Sequence, residues 1–250
     1  MKNAASKQRL DTLLVDKGLA ESREKARAIV LAGQVTVDGR PADKAGTMVR
    51  VDAEIAVAGP DHPWVSRGGI KLAHALDVFG IDAAGRFALD IGASTGGFTD
   101  VWLQRGAAHV VALDVGHSQL HWKLRSDPRV TVVERSNARY LKAGDLPAGG
   151  PLTRVSIDVS FISLRHILPG LPPLVSRPTE IVALVKPQFE AGREDVGHGG
   201  LVLDATVHAR VIAQVTAAAA EVGLKRLALT DSPITGAEGN REFLLHLRCE

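Results

Sequence analysis

Apolar residues in the first 60 positions recur at helical spacing twice and then alternate with polar residues. The two periodic stretches predict one helix over residues 9–17 and a second over residues 22–32. The alternation over residues 34–37 runs into an Asp-Gly pair, which is a hairpin signal, and a short strand is predicted over residues 54–57. These elements predict a small α+β unit of about fifty residues.

Farther along the chain, apolar stretches of strand length alternate with stretches of helix length. This alternation predicts an α/β fold, a doubly wound parallel sheet with helices on both faces. The predicted domains are residues 1–59 and 66–250, joined by a linker at residues 60–65. The predicted strands cover residues 87–91, 110–114, 130–134, 155–158, 181–185, 224–229 and 242–249, and the predicted helices cover residues 71–79, 97–105, 118–126, 163–168 and 206–222.

The composition of the chain excludes several classes of protein. Of its 250 residues, 45% are apolar and 23% are charged, which is typical of a soluble globular protein. The single cysteine, Cys249, excludes a disulfide framework and a zinc site built from several thiolates, and we expect no metal site. No uncharged stretch approaches the roughly 18 residues of a membrane span, and the N-terminus lacks a secretory signal. We therefore expect a cytoplasmic protein that does not engage a membrane.

The net charge of +2 lies in the N-terminal part of the chain. Residues 1–60 hold 10 Lys and Arg against 8 Asp and Glu, whereas residues 61–250 hold 20 of each. A basic excess of this kind favours, weakly, a polyanionic partner for the N-terminal unit.

A glycine-rich loop follows the first strand of the predicted sheet and opens a helix. Its spacing is G-x-x-x-G-G from Gly92, with Ser94 where a dinucleotide fingerprint has its second glycine. Asp114 ends the next strand, where an acid accepts hydrogen bonds from a ribose diol, and Asp90 before the loop suits an ammonium held through water. The pattern favours S-adenosylmethionine over a dinucleotide. The candidate cofactor-binding residues are Asp90, Gly92, Ser94, Thr95, Gly96, Gly97, Asp114, Asn137 and Phe161.

The segment after the fourth strand bears on the atom that accepts the methyl group. It reads Ser156 to Phe161 and lacks the Asn/Asp-Pro-Pro-aromatic motif of enzymes that methylate base amines. Carbon-5 methylation of cytosine requires a thiolate near this position, and the only cysteine lies in the last strand. Both absences favour an oxygen acceptor such as a ribose hydroxyl.

Two lysines are candidates for the base that such a hydroxyl requires. Lys186 follows an apolar strand and is aimed at the ligand-binding edge of the sheet, and Lys71 opens an early helix. If the two ammonium groups are close, each lowers the pKa of the other. Asp158 and an acid before the last strand would orient them; spacing alone leaves Glu242 and Glu238 as alternatives.

These motifs resemble the TlyA family over nearly the whole chain. The matching strings include Trp64 to Gly69, Asp90 to Phe98, Asp158 to Leu164, Lys186 to Glu190 and Gly239 to Glu242. The N-terminal strings, from Arg9-Leu10-Asp11 to Val37-Asp38-Gly39, resemble the αL-type RNA-binding fold. Members of the family are named both as haemolysins and as ribosomal RNA 2′-O-methyltransferases.

The resemblance implies a specific fold, site and substrate. It implies a seven-stranded methyltransferase sheet with an antiparallel last strand, and cytidine 2′-hydroxyls of ribosomal RNA, in subunits or ribosomes, as substrate. It implies a catalytic Lys-Asp-Lys-Glu tetrad at Lys71, Asp158, Lys186 and Glu242, and its G-N-x-E string selects Glu242 over Glu238. Dual-target members carry extra residues after the last strand, so a chain that stops at Glu250 is expected to modify the large subunit alone.

The resemblance also implies an RNA-binding surface on the N-terminal unit. Basic residues there contact phosphates, which position a protein on RNA without reading its sequence. Acidic residues are interspersed, so we expect about half of the candidates to be neutral surface. The candidates are Arg9, Arg23, Lys25, Arg27, Arg40 and Lys44.

Two readings from other classes stay open. The chain is alternatively a membrane-active haemolysin, which the absence of a span or of a strongly amphipathic basic helix disfavours. It is alternatively a non-catalytic ribosome-binding or assembly factor, which the intact tetrad and cofactor loop disfavour. Lysis by the purified protein would favour the first, and failure to bind S-adenosylmethionine would favour the second.

Overall fold

A computed structural model of the chain describes residues 6–20, 22–31, 33–42, 44–58, 62–142, 144–147, 149–236 and 239–250. The chain divides into two compact units, Met1–Pro63 and Trp64–Glu250. Part of the predicted linker, the predicted end of the second helix at Ala32, and Glu238 lie outside the described residues.

The N-terminal unit packs two helices against short strands. The helices are α1 (Leu10–Asp16) and α2 (Arg23–Leu31). Three antiparallel strands are arranged in the order β3-β2-β5, and β1 pairs antiparallel with β4. The strands are β1 (Lys7–Arg9), β2 (Val35–Val37), β3 (Arg40–Pro41), β4 (Met48–Arg50) and β5 (Ile55–Val57). The core of the unit is formed by Leu10, Leu14, Ala26, Val30 and Val35.

The second unit is built on a seven-stranded sheet with helices in the connections. Its strands are β6 (Phe87–Ile91), β7 (His109–Leu113), β8 (Val130–Val133), β9 (Leu152–Ile157), β10 (Thr179–Val185), β11 (Leu224–Asp231) and β12 (Phe243–Cys249). Its α-helices are α3 (Gly68–Phe79), α4 (Gly97–Gln104), α5 (Trp122–Arg125), α6 (Pro187–Glu190) and α7 (Ala205–Glu221).

The sheet has the order β11-β12-β10-β9-β6-β7-β8. Strands β6 to β10 pair in parallel, whereas β12 runs antiparallel to both of its neighbours, β10 and β11. The predicted seven-stranded sheet with an antiparallel last strand is confirmed. Because all the parallel strands end at one edge, the loops that follow them meet there, which is where open α/β folds bind ligands.

The middle of the sheet is buried on both faces, which explains the continuous apolar run in the central strand β10. In β10, Ile181, Ala183 and Val185 join one core cluster, while Val182 and Leu184 join the cluster on the other face. Side chains of a strand alternate between faces, so a strand covered on both sides requires an apolar residue at every position.

Two predicted helices are shorter than their periodicity suggests. The stretch over residues 118–126 forms only α5, because Ser118 has a left-handed backbone with φ of 57° and the helix begins at the capping residue His121. The stretch over residues 163–168 forms two 3₁₀ turns, Leu164–His166 and Leu168–Gly170. Pro169 lacks the N–H that a continuing α-helix requires.

Truncating the central strand tests this packing. Leu89 in β6 is fully buried between neighbouring strands. We expect Leu89→Ala to lower the free energy of unfolding by about 2–5 kcal/mol, because it removes buried methyl groups and leaves a cavity. All three tryptophans lie in the second unit, so their fluorescence during urea unfolding reports this unit.

Val78→Ala is the matched control for that measurement. Val78 lies on α3 and is 54% exposed, so its truncation should change stability by no more than about 0.5 kcal/mol. Equal effects of the two substitutions would show that β6 is not the centre of the core.

Candidate active site

Two neighbouring cavities open at the carboxyl edge of the sheet. The first lies between the start of α3, the loop after β6 and the segment before β12; its lining includes Lys71, Thr95 and Gly236. The second lies over the ends of β6, β7 and β9, and its lining includes Asp114 and Asn137. Gly92, Ser94 and Asp158 line both cavities.

The glycine-rich loop brings its backbone close to the end of β9. Gly92 has φ of 84°, and a side-chain Cβ there would lie 2.3 Å from the Asp158 carbonyl oxygen. Only glycine permits both the left-handed backbone and this approach. The first glycine of the loop therefore lets the loop pack directly on the backbone that follows β9.

The other residues of the glycine-rich loop have two different roles: some line a cavity, and one packs against neighbouring side chains. Thr95 and Gly97 line the first cavity. Gly96 instead faces the side chains of Leu120 and Leu124, and a Cβ there would lie 2.2 Å from Leu124 Cδ1. Gly96 thus permits close packing of the loop on α5, and its predicted contact with the cofactor stays a prediction.

Asp90 lies beneath the loop and not in either cavity's lining. It is fully buried, and its carboxylate accepts hydrogen bonds from Thr99 Oγ1 at 2.7 Å and Ser156 Oγ at 2.8 Å. Trp102 Nε1 donates to the same Ser156 hydroxyl at 2.9 Å. Burial raises the pKa of Asp90 to about 7. Asp90 thus joins β6 to α4 and β9, and its predicted hold on the cofactor's ammonium through water stays a prediction.

Asp114, which follows β7, is hydrogen-bonded to the glycine-rich loop. Its carboxylate accepts hydrogen bonds from the backbone N–H of Ser94 at 2.8 Å and of Gly116 at 2.7 Å. Ser94 itself has a left-handed backbone with φ of 48°. Since both backbone bonds hold the carboxylate at the end of β7, its position at the second cavity is fixed before any ligand arrives.

Each predicted lysine has a carboxylate of its own. Lys71 Nζ donates to Glu242 Oε2 in a pair that is almost fully buried. Lys186 Nζ lies 2.5 Å from Asp158 Oδ1 and donates to Ser160 Oγ at 3.0 Å. Lys71 and Asp158 line the first cavity together, so one residue of each pair faces the same cavity. The sequence predicted that Asp158 and an acid before the last strand would orient the lysines, and in the structure each lysine is paired with one of these acids.

Two further candidates lie around the second cavity. Asn137 lines it and caps a short 3₁₀ turn by accepting a hydrogen bond from Arg139 N–H at 3.0 Å. Phe161 also lines it, is 91% exposed and has a left-handed backbone with φ of 63°. Its ring lies 5.0 Å from that of Phe189 between centroids. Phe161 is therefore not the core residue that the sequence left open as an alternative.

Glu190 is a site-forming residue that sequence reasoning missed. This buried carboxylate accepts hydrogen bonds from Ser163 Oγ at 2.5 Å and Leu164 N–H at 2.7 Å. Burial raises its pKa. It joins the loop after β9, which carries Asp158, to α6, which directly follows Lys186. Its place in the Lys-Pro-Gln-Phe-Glu string was a signal, but the string alone indicates no partner.

The predicted RNA-binding residues are exposed on the N-terminal unit. Arg9, Arg23 and Arg27 are brought together on one buried carboxylate, Asp11, which sequence reasoning also missed. The remaining three candidates are Lys25, Arg40 and Lys44.

Two features are absent from the described ranges of the chain, a cluster of metal ligands and a membrane-spanning helix. Within them, no three or more His, Cys, Asp or Glu side chains are grouped so that they could hold a metal ion. Of the helices in the same ranges, none combines the length and the apolar character required to cross a bilayer.

Family models match both units of the chain. The model for FtsJ-like methyltransferases matches residues 64–249, and the model for S4 domains matches residues 8–55. The fold and the matched model define the larger unit as an S-adenosylmethionine-dependent methyltransferase domain.

Individual relatives match nearly the full chain. The 16S/23S rRNA (cytidine-2′-O)-methyltransferase TlyA of Mycobacterium tuberculosis (strain ATCC 25618 / H37Rv) is 49% identical over 247 residues, covering 98% of this chain and 91% of the relative. Hemolysin A of Brachyspira hyodysenteriae is 42% identical over 238 residues, covering 95% and 98%. A solved structure titled "Putative hemolysin from Streptococcus thermophilus" has a TM-score of 0.78 and 47% identity, covering 98% of this chain and 90% of that one. The chain belongs to the FtsJ-like methyltransferases and, among them, to the TlyA family, which confirms the resemblance seen in the sequence.

The buried Asp90 predicts an unusual pH dependence of stability. Its pKa of about 7 lies above the ordinary aspartate value, so between these two values the folded state binds a proton that the unfolded state has released. Stability should therefore fall as the pH rises through this window. Relative to Asp90→Asn, the wild-type protein should lose roughly 2–3 kcal/mol between about pH 5 and pH 8, measured by urea unfolding at each pH.

Asp77→Asn provides the control, since it makes the same charge change at an exposed position on α3. A difference between the wild type and Asp90→Asn that stays constant with pH would contradict the raised pKa.

Proposed function

We propose that this protein transfers a methyl group from S-adenosylmethionine to the 2′-hydroxyl of a cytidine in ribosomal RNA. The observation that carries the proposal is that one residue from each of two lysine–carboxylate pairs, Lys71–Glu242 and Lys186–Asp158, lines the same cavity beside the glycine-rich loop. The name of the Mycobacterium tuberculosis relative, which aligns with nearly the whole of this chain, supports this substrate and reaction. With ribosomal RNA as the proposed substrate, the protein is proposed to act in the cytoplasm on ribosomal subunits or ribosomes.

The residues around the second cavity fit S-adenosylmethionine. When bound, this cofactor supplies an electrophilic methyl group carried on a sulfonium. Gly92 and Ser94 line this cavity, so a ligand there would lie against the glycine-rich loop. Asp114 would accept hydrogen bonds from the ribose diol, and Ser94, Asn137 and Phe161 would line the rest of the cofactor site. Thr95 and Gly97 would hold the end of the ligand that extends into the first cavity.

Lys186 is proposed as the base. In this role Lys186 would be in its neutral amine form and would accept the proton that the 2′-hydroxyl loses as its oxygen bonds to the methyl group, since proton transfer to a positioned amine lowers the barrier. Asp158 and Ser160 fix the position of Nζ, and the largely buried lysine stem limits its motion. Lys71, which is held by Glu242, would orient the ribose, since Lys71 lines the first cavity together with Asp158.

The N-terminal unit is proposed to anchor the RNA. Its exposed basic residues would contact phosphates, while the target cytidine leaves its stack so that its ribose reaches Lys186. The expectation of a large-subunit target remains a prediction. The relative's name covers both 16S and 23S RNA, so separate assays of the two subunits must decide it.

Removing the carboxylate of Asp114 should weaken cofactor binding. We expect Asp114→Ala to raise the dissociation constant of S-adenosylmethionine by about tenfold or more, because the ribose diol would have no charged acceptor for its hydrogen bonds. Isothermal titration calorimetry on the full chain measures this. Asp127→Asn is the control, since Asp127 pairs with Arg129 away from both cavities. An unchanged constant for Asp114→Ala would reject the ribose-binding role.

Removing the amine of Lys186 should separate catalysis from cofactor binding. We expect Lys186→Ala to slow single-turnover methyl transfer by about 100-fold to 10,000-fold, because the base acts in the transition state, while the cofactor dissociation constant stays within about twofold. The assay follows labelled methyl incorporation into unmodified ribosomal subunits, each tested separately.

The matched control is Lys225→Ala, because Lys225 forms an exposed ion pair with Glu250. Retained turnover in Lys186→Ala would remove Lys186 from the role of base. Cofactor binding by the wild type without methyl incorporation into either subunit would contradict the proposed function and favour a non-catalytic ribosome-binding factor.

A further inference from the structure

We infer that Asp11 is a positioning residue that gathers Arg9, Arg23 and Arg27 into one preorganised site for a phosphate of the RNA backbone. This inference rests on the proposed function, since it takes RNA as the partner. In addition to RNA binding by the N-terminal unit, one carboxylate, that of Asp11, positions the three arginines, and a phosphodiester is the group that they bind.

The geometry centres on a single buried carboxylate. Arg9 binds Asp11 with two hydrogen bonds, from Nε to Oδ1 at 3.0 Å and from Nη2 to Oδ2 at 2.8 Å. Arg23 Nη2 and Arg27 Nε reach Oδ2 at 3.4 and 3.2 Å. Asp11 is fully buried, whereas the three arginine side chains are 44%, 54% and 55% exposed. The acid is thus covered by three cations that face outward.

The positions in the chain explain how the cluster forms. Asp11 lies in the first turn of α1, and Arg9 directly precedes that helix. Arg23 and Arg27 are four residues apart on α2, so they lie on the same helix face. Packing of α1 against α2 through Leu10, Leu14, Ala26 and Val30 then brings that face over Asp11.

The charge of the cluster points to an anionic ligand. The arginines hold the pKa of Asp11 well below its usual range, Arg9 being the largest cause, so the carboxylate stays ionised. One bidentate arginine already neutralises a carboxylate. The second and third leave the cluster with a net charge of +2, and holding like charges together costs free energy unless an anion is bound.

The donors of the cluster suit a phosphate. A guanidinium has five N–H donors in a planar fork, and each arginine uses one or two of them on Asp11. Fixing the guanidinium planes in advance reduces the side-chain entropy cost of binding RNA. A planar fork also matches the geometry of phosphate oxygens, which a lysine ammonium does not.

The test compares two substitutions that change the net charge equally. Asp11→Asn and Asp52→Asn each remove one negative charge from the N-terminal unit, and Asp52 pairs with Arg50 in an exposed ion pair. If charge alone governs affinity, both variants should bind RNA slightly more tightly. If Asp11 positions the arginines, Asp11→Asn should bind about tenfold more weakly despite its added positive charge. The probe is labelled ribosomal RNA from unmodified subunits, bound to the full chain.

Two further readouts separate positioning from loss of fold. In methyl transfer, Asp11→Asn should raise the RNA concentration for half-maximal rate and leave the rate at saturating RNA unchanged. The slope of the logarithm of the dissociation constant against the logarithm of salt concentration should fall by about one or more, because the displaced arginines neutralise fewer RNA phosphates. Far-ultraviolet circular dichroism should match that of the wild type.

Charge-neutral substitutions keep the test decisive if Asp11→Asn fails to fold. Arg9→Lys keeps both the carboxylate and the charge but removes the planar fork, and it should weaken binding severalfold, whereas Arg50→Lys should not. RNA affinity of Asp11→Asn and Arg9→Lys equal to that of their controls would overturn the inference and leave the proposed function standing. Absence of RNA binding by the wild-type protein would overturn both.

Discussion

The buried carboxylate of Asp90 is the interaction on which the geometry of the site depends. It accepts hydrogen bonds from Thr99 in α4 and Ser156 in β9, so the strand, the helix and the neighbouring strand that surround the glycine-rich loop are joined at one point. The loop can then approach the Asp158 carbonyl closely at Gly92. A fully buried aspartate is costly when ionised, and its raised pKa expresses that cost. Burial of this carboxylate lowers the free energy of unfolding when the group is ionised, and its hydrogen bonds hold the loop in one position.

The two lysine–carboxylate pairs draw on parts of the chain that are distant in sequence. Lys71 and Glu242 are 171 positions apart, and they meet because α3 and the start of β12 reach the same end of the sheet. A buried ion pair contributes little net stability, since desolvation offsets the attraction between the charges. Its value lies in orientation: each ammonium is held at a known place beside the cavity. Glu190 extends the same principle by joining the two loops that carry Asp158 and Lys186.

Sequence patterns predicted the sheet well because most of its strands contain apolar runs of strand length, such as Ile181–Val185 in β10. The observed β6 coincides with its prediction, and the other six strands differ by a few residues at their ends. The 3-residue strands β1 and β4 were missed, since polar segments as short as Lys7–Arg9 carry no periodicity. The motifs named Lys71, Asp158, Lys186 and Glu242 as candidates, but they did not indicate which acid pairs with which lysine. The roles of Asp11, Asp90 and Glu190 depend on side chains from other elements, and no local pattern encodes those interactions.

The proposed site methylates an oxygen of the ribose and not an atom of the base. The most direct measurement incubates the purified protein with S-adenosylmethionine and separated, unmodified ribosomal subunits, digests the RNA to nucleosides, and identifies the product by mass spectrometry. We expect 2′-O-methylcytidine as the product. The proposed base is a lysine and no thiolate lines the cavities, and this combination suits a hydroxyl acceptor. A cytidine methylated on its base, or methylation of another nucleoside, would contradict it.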